Sequence, residues 1–216
     1  MKSPYFTQNS IQDQSLEFLR DFRHPNRCIN INLLEGRTAL LILDMQRYFL
    51  DPTSHAFIPS APAIIPGLIR LIKSFIRSER PVVLTQHINT EANAGMLNVW
   101  WSDVIKESSS LSGIVPELKT KPVKIIIKPQ YDAFYNTELD KYLKGMGTEQ
   151  VIICGVMTHL CCETTARSSF VHGYNVVFPV DGSATYDIEF HRATLRNLSH
   201  GFASLTSINE LCELLD

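Results

Sequence analysis

Five short apolar runs, separated by segments whose apolar residues recur at helical spacing, constrain this chain more than any other feature. The runs occupy residues 39–43, 81–85, 123–127, 150–154 and 174–178, with a possible short sixth near 203–206. The first begins after Thr38 and stops at Asp44. Runs of this length and density are expected of strands buried on both faces. Between them, residues 61–77, 137–144, 160–172 and 188–198 carry 3.6-residue apolar spacing, and 207–214 forms a last helical segment. Strands that alternate with helices require right-handed crossovers, hence parallel pairing and helices on both faces of the sheet. The expected fold is α/β: a three-layer αβα sandwich around a doubly wound, mostly parallel, Rossmann-like sheet of five to six strands.

Residues 1–37 lack this rhythm. They carry one short helical pattern around 14–22, which Pro25 is expected to end, and read as an arm laid over the domain or over a partner subunit. The domain proper is then 38–216. One long irregular stretch, 88–121, holds the apolar trio Val99, Trp100 and Trp101. A loop of that length in a compact domain is more often functional than accidental, so it is a candidate substrate or dimer loop.

Composition excludes several classes. With 44% hydrophobic and 19% charged residues the chain is globular rather than disordered, and a net charge of −2 offers no basic field for a phosphate backbone. Nucleic acid is therefore not expected as a partner. Residues 1–14 show no basic stretch followed by an apolar one, and no run reaches the roughly 18 apolar residues a membrane span needs. A cytoplasmic chain without membrane attachment is the expectation. The five cysteines, Cys28, Cys154, Cys161, Cys162 and Cys212, are odd in number and lack paired CxxC spacing. They read as free thiols, each by default a small buried hydrophobe.

In open parallel sheets, ligands bind outside the carboxyl ends of the strands. Three features stand there. Asp44 follows the first run, Lys128 follows the third, and a turn from Gly155 through Cys161 follows the fourth and enters a helix. Asp44 alone could cap a turn, and Lys128 alone could form a structural ion pair, because an apolar strand end gives an ammonium little reason to be present without a carboxylate. The cysteine is the strongest of the three, since a helix start lowers a thiol pKa and can hold an oxyanion.

Three blocks carry a resemblance. They are Leu43-Asp44-Met45-Gln46 with Tyr48-Phe49; Lys128-Pro129-Gln130-Tyr131-Asp132-Ala133-Phe134 with Thr137-Glu138-Leu139; and Gly155-Val156-Met157-Thr158-His159-Leu160-Cys161-Cys162 continuing through Arg167. In this order, over about residues 36–215, the chain resembles the isochorismatase-like hydrolases, which include nicotinamidases, N-carbamoylsarcosine amidases, ureido and biuret hydrolases and isochorismatases. The resemblance implies Cys161 as nucleophile, Asp44 as general base and Lys128 as a stabilising cation. It also implies a cis peptide between Val156 and Met157, with the Met157 and Cys161 N–H groups forming an oxyanion hole. Cys162 points about 100° away along the helix, so only one thiol can face the site, and the motif selects Cys161. Cys162 and Cys154 read as core thiols, and Arg167 as structural.

The arm and the Trp-containing loop look more like the isochorismatase branch than the nicotinamidases. Against isochorismate itself stand two departures: isochorismatases typically carry glycine where Cys161 stands, and glutamine where His87 stands. Nicotinamidases of the family bind a metal through an Asp-x-His pattern. Asp51 and His55 have the wrong spacing for it, so a zinc site from Asp51, His55 and His87 is not expected, and no cofactor is. Phe49, His87, Trp100, Trp101, Tyr131 and Phe134 are candidates to line the substrate pocket. His159 is open between lining it and packing at the helix start.

The expected activity is hydrolysis of a C–N bond in a small amide, ureido or carbamoyl compound through a Cys161 thioester. The alternatives are vinyl-ether hydrolysis of isochorismate, and a catalytically retired structural or interaction subunit using the arm and Trp100-Trp101. The resemblance further implies a homo-oligomer, dimer or tetramer.

Overall fold

The structure, a computed structural model, describes residues 2–24, 37–101, 103–120 and 122–215. Pro25 and Cys28 lie outside the described residues. In chain order the elements are α1 (Ile11–Phe22), β1 (Thr38–Leu43), α2 (Arg47–Leu50), α3 (Ala61–Arg77), β2 (Val82–His87) and α4 (Leu97–Trp100). A 3₁₀ turn at Pro116–Leu118 precedes β3 (Lys124–Lys128), α5 (Leu139–Gly145) and β4 (Gln150–Val156). A π-helical turn, Thr158–Cys162, then leads into α6 (Glu163–Val171), followed by β5 (Asn175–Pro179), β6 (Ser183–Ala184), α7 (Ile188–Gly201), β7 (Ser204–Thr206) and α8 (Ile208–Glu213).

Among the described residues the strands form one seven-stranded parallel sheet in the order β3-β2-β1-β4-β5-β7, with β6 beside the end of β4. The reversal of winding direction at β1 and β4 makes it doubly wound and opens a crevice at their carboxyl ends. β1 and β4 are buried along their whole lengths, which is why both read as continuous apolar runs. α3 covers one face through Ala61, Ile64, Leu68, Leu71, Ile72 and Phe75, a stripe at helical spacing.

Two expectations change. The seventh strand, β6, is two residues long, too short to show any period. At the β3 edge the sheet is not covered on both faces: Ile126 and Lys128 are buried while Ile125 and Ile127 are exposed. Among the described residues the β2–β3 crossover carries only the one-turn α4 and the 3₁₀ turn, so no long helix there shields that side of the strand.

The N-terminal segment 2–24 lies on its own domain. The Tyr5 and Phe6 amides donate to Ser60 Oγ at 2.9 and 3.1 Å, and Phe6 is buried against Phe18 and His191. His191 is itself buried on α7, between the Tyr5 hydroxyl at 2.9 Å and the Val180 carbonyl at 2.9 Å. No helix among the described residues is long and apolar enough to cross a membrane.

Candidate active site

The carboxyl ends of β1 to β4 bring Asp44, His87, Lys128 and the Cys161 turn together. Parallel register sets this directly: His87 pairs with Lys128 across β2–β3, and Leu43 pairs with Gly155 across β1–β4. Gly155 has φ +111°, and a Cβ there would stand 2.1 Å from the Leu43 carbonyl oxygen, so only glycine lets β4 pass this close to the residue preceding Asp44. Asp44 leaves β1 with φ +52°, a left-handed conformation uncommon for a residue with a side chain. Thr85 secures that turn, accepting from the Asp44 amide at 3.1 Å and donating its hydroxyl to Asp44 Oδ1 at 2.6 Å. Gln46 ties the ends of β1 and β2 together, with Oε1 accepting from the His87 amide at 2.8 Å and Nε2 donating to the His87 carbonyl at 3.0 Å.

Lys128 Nζ lies at the centre. It is 2.8 Å from Asp44 Oδ2, 2.7 Å from the Gln130 carbonyl, 3.2 Å from His87 Nδ1 and 3.4 Å from Cys161 Sγ. Cys161 sits on the π-helical turn, where the Cys162 amide reaches back to the Met157 carbonyl at 3.2 Å, and the Val156–Met157 peptide is cis. β6 holds this turn from beneath: Thr158 Oγ1 donates to Ser183 Oγ at 3.0 Å. Local insertions of this kind re-aim side chains and recur at functional sites.

The charges follow from burial and pairing. Burial pushes the Asp44 carboxyl up, but the Lys128 ammonium, His87 and the Thr85 hydroxyl override it and hold the group below the ordinary carboxylate range. Burial works against the Lys128 charge, yet Asp44 and Cys161 keep its pKa above the ordinary value. Burial pushes the Cys161 thiol up to about 12, with Asp44 adding to the rise and Lys128 opposing it. Burial lowers His87 to about 4. The resting site is thus carboxylate, ammonium, neutral thiol and neutral imidazole. That combination places a base beside an unionised nucleophile, with a cation ready to stabilise the thiolate.

A cavity of about 290 Å³ opens onto Cys161. Phe49, His87, Trp101 and Tyr131 line it, and Trp101 Nε1 donates to the Tyr131 hydroxyl at 2.6 Å. Three pocket candidates lie elsewhere. Trp100 is 75% exposed, because α4 turns it away from its neighbour Trp101. Phe134 packs inward, its ring stacked on His172 and Tyr174 at 4.6 and 6.0 Å. His159 stacks on Phe190 at 4.2 Å and bonds Thr185 Oγ1 at 2.6 Å, so it serves the helix start and not the cavity. Cys162 is fully buried, its Sγ 3.7 Å from the Cys154 carbonyl, and Arg167 pairs with Glu163 on its own helix.

Sequence reasoning missed the polar side of the cavity. The Tyr48 hydroxyl donates to Asp103 Oδ2 at 3.2 Å and lies 3.1 Å from His55 Nε2, and all three residues line the mouth. Lys2 of the N-terminal segment joins them, bonded to the His55 carbonyl and lying over the Tyr186 ring. Only the identities of Tyr48 and His55 near Asp44 hinted at this group, because Asp103 and Lys2 come from distant segments.

Comparison with known proteins places this geometry in context. Residues 38–210 match the model of the isochorismatase domain. The chain is 38% identical to Nicotinamidase 3 of Arabidopsis thaliana over 80% of its own length and 86% of the relative's. Among solved structures, a cysteine hydrolase from Pseudomonas syringae pv. phaseolicola superposes with a TM-score of 0.81 at 23% identity, covering 84% of this chain and 93% of that one. A pyrazinamidase of Pyrococcus horikoshii in complex with zinc gives 0.71 at 25% identity, covering 79% and 99%. The identity to the nicotinamidase exceeds the 25% to a probable isochorismatase of Pseudomonas chlororaphis, whereas the expectation placed the chain nearer the isochorismatase branch.

The zinc in the pyrazinamidase raises the question of whether the residues here fit such an ion. Among the described residues, the donor atoms of Asp44, His87 and Cys161 lie within 4.8 Å of one another, but Lys128 Nζ bonds all three and already supplies the positive charge they surround. Among the described residues Asp51, His55 and His87 do not group in this way. Asp51 accepts from the Thr53 amide and hydroxyl at 2.8 and 2.7 Å, and both nitrogens of His87 are engaged. Bonded as they are, these described side chains do not fit a divalent cation. The family match over most of the chain and the agreement in fold lead to one conclusion: this chain belongs to the isochorismatase family of hydrolases.

Proposed function

We propose that the chain hydrolyses the C–N bond of a small carboxamide, with nicotinamide and related heteroaromatic amides the first candidates, through a thioester on Cys161. The single observation carrying this reading is that one ammonium, Lys128 Nζ, reaches both Asp44 Oδ2 at 2.8 Å and Cys161 Sγ at 3.4 Å where the cavity opens. The name of the Arabidopsis relative supports the substrate class. So does the cavity, whose Phe49, Trp101 and Tyr131 suit a flat ring while Tyr48, His55 and Asp103 offer polar contacts at its mouth.

Asp44 takes the thiol proton as Sγ attacks the amide carbon. The oxyanion forms against the Met157 and Cys161 N–H groups, and Lys128 stays charged throughout, offsetting the thiolate. Asp44 returns the proton to the nitrogen, the C–N bond breaks and ammonia leaves. Asp44 then takes a proton from water, hydroxide attacks the thioester, and the acid and the free thiol are regenerated. Each proton lost is recovered, and no step calls for a redox partner.

The test is ammonia release from nicotinamide, other aryl carboxamides, ureides and carbamoyl compounds, with pyruvate release from isochorismate measured alongside. Native protein releases ammonia and Cys161→Ala does not. Full turnover by Cys161→Ala contradicts the proposal. Isochorismate cleavage that survives Cys161→Gly and disappears in Asp44→Ala would favour the vinyl-ether activity instead.

A further inference from the structure

We propose that Asn89 is a positioning residue, which holds His87 in its neutral Nε2-protonated form and so aims a bare Nδ1 lone pair at the Lys128 ammonium. Its consequence for catalysis rests on the amidase reading above. The hydrogen-bond arrangement does not.

Asn89 is buried, two residues past His87 at the end of β2. Its Nδ2 donates to the Pro129 carbonyl at 2.8 Å. A carbonyl can only accept, so the amide is oriented with Oδ1 toward His87 Nε2, 2.8 Å away. An amide oxygen also only accepts, so Nε2 carries the proton. At the other end of the ring, His87 Nδ1 is 3.2 Å from Lys128 Nζ, and an ammonium only donates. Both ends of the imidazole therefore demand the same tautomer, and Gln46 fixes the His87 backbone from which the ring projects.

The groups facing His87 are Asp44 from the end of β1, Lys128 from β3, Asn89 from its own segment and Cys161 from the π-helical turn. An imidazolium here would point an N–H at the ammonium. The neutral ring does the opposite and accepts one of its protons. The other two short contacts of Lys128, to Asp44 Oδ2 and the Gln130 carbonyl, complete a three-acceptor cradle that holds Nζ beside the thiol. His87 supplies its part of that cradle without a second negative charge. Asn89 thus governs, through His87 and Lys128, how readily Cys161 ionises.

The test combines ¹⁵N NMR of histidine-labelled full-length protein with the pH dependence of Cys161 alkylation by iodoacetamide and of kcat/KM. The His87 signals are assigned by their loss in His87→Gln. In native protein Nε2 shows a pyrrole-type and Nδ1 a pyridine-type resonance. Asn89→Ala leaves Lys128 alone to hold the tautomer, so the preference weakens, and alkylation slows about tenfold, the loss expected from one charge-linked hydrogen bond. Asn89→Asp keeps an acceptor at Nε2, so it retains reactivity at alkaline pH. Its carboxylate favours the imidazolium, which moves the acid limb of both profiles up by about one pH unit. A pyridine-type Nε2 in the native protein, or alkylation profiles unchanged in both variants, overturns the proposal. NMR and alkylation need no substrate. If native protein turns over no carboxamide while these effects remain, the amidase reading fails and the Asn89 relay stands.

Discussion

Lys128 and Asp44 form an ion pair 2.8 Å long with neither side chain exposed to solvent. Two charges removed from water are stable only because each is further satisfied, Asp44 by Thr85 and Lys128 by the Gln130 carbonyl and His87. Breaking such a pair from one side leaves an uncompensated charge. Lys128→Met should therefore lower the unfolding free energy by about 3 kcal/mol, and adding Asp44→Asn should restore much of it. Urea denaturation of the two single variants and the double variant measures this. Equal midpoints for native protein and Lys128→Met would contradict it.

Thr85 donates to the carboxylate form of Asp44, which lowers that group's pKa. Removing the hydroxyl in Thr85→Val raises it. The acid limb of kcat/KM, where the base becomes protonated, then moves to higher pH, and activity below the native limb drops about tenfold. An acid limb that stays in place would show that Asp44 does not titrate in the reaction.

Two buried histidines set how stability responds to acid. Burial holds His87 near 4 and His191 near 3, whereas in the unfolded chain both titrate near 6.5. Below 6.5 the unfolded state takes up protons that the folded state refuses, so stability falls as pH drops from 6.5 toward 4. Each histidine contributes on the order of 3 kcal/mol to that loss. Asp181, raised by burial to about 6, acts oppositely, because the folded state holds its proton between 3.8 and 6 and gains stability there as pH falls. The histidine effect is larger. Thermal unfolding across this range should show a declining melting temperature for the native protein and a shallower decline for His191→Gln.

Because Lys128 supplies the positive charge that Asp44, His87 and Cys161 surround, removal of divalent metal should leave turnover unchanged. Activity after dialysis against EDTA tests this. A loss that zinc restores would contradict the placement of the ammonium at the centre of the site.

Asp44, Lys128 and Cys161 were legible in the sequence because each follows an apolar run, and parallel sheets deliver such positions to one edge. β6 was not, since two residues carry no period. Trp100 and Trp101 show the limit for the pocket: one ends the short helix α4 and the next leaves it in extended conformation, so one faces solvent and the other the cavity, and only the backbone path through 88–121 decides which. Phe134 and His159 sit close in sequence to Lys128 and Cys161, yet nearby aromatic rings on other elements draw both away. Strand alternation places Thr85 and His87 on one side of β2, and Asn89 lies two residues past the strand's end. What each would bond depended on neighbours from β1 and from the segment after β3.

The central claim is that Cys161 attacks the substrate carbon, and rapid acid quench followed by intact-mass spectrometry tests it most directly. With nicotinamide or another turned-over carboxamide, native protein should carry one acyl group, mapped by digestion to Cys161, and Cys161→Ala should carry none and release no ammonia. Ammonia release at the native rate by Cys161→Ala, or an acyl group on any other residue, would contradict it.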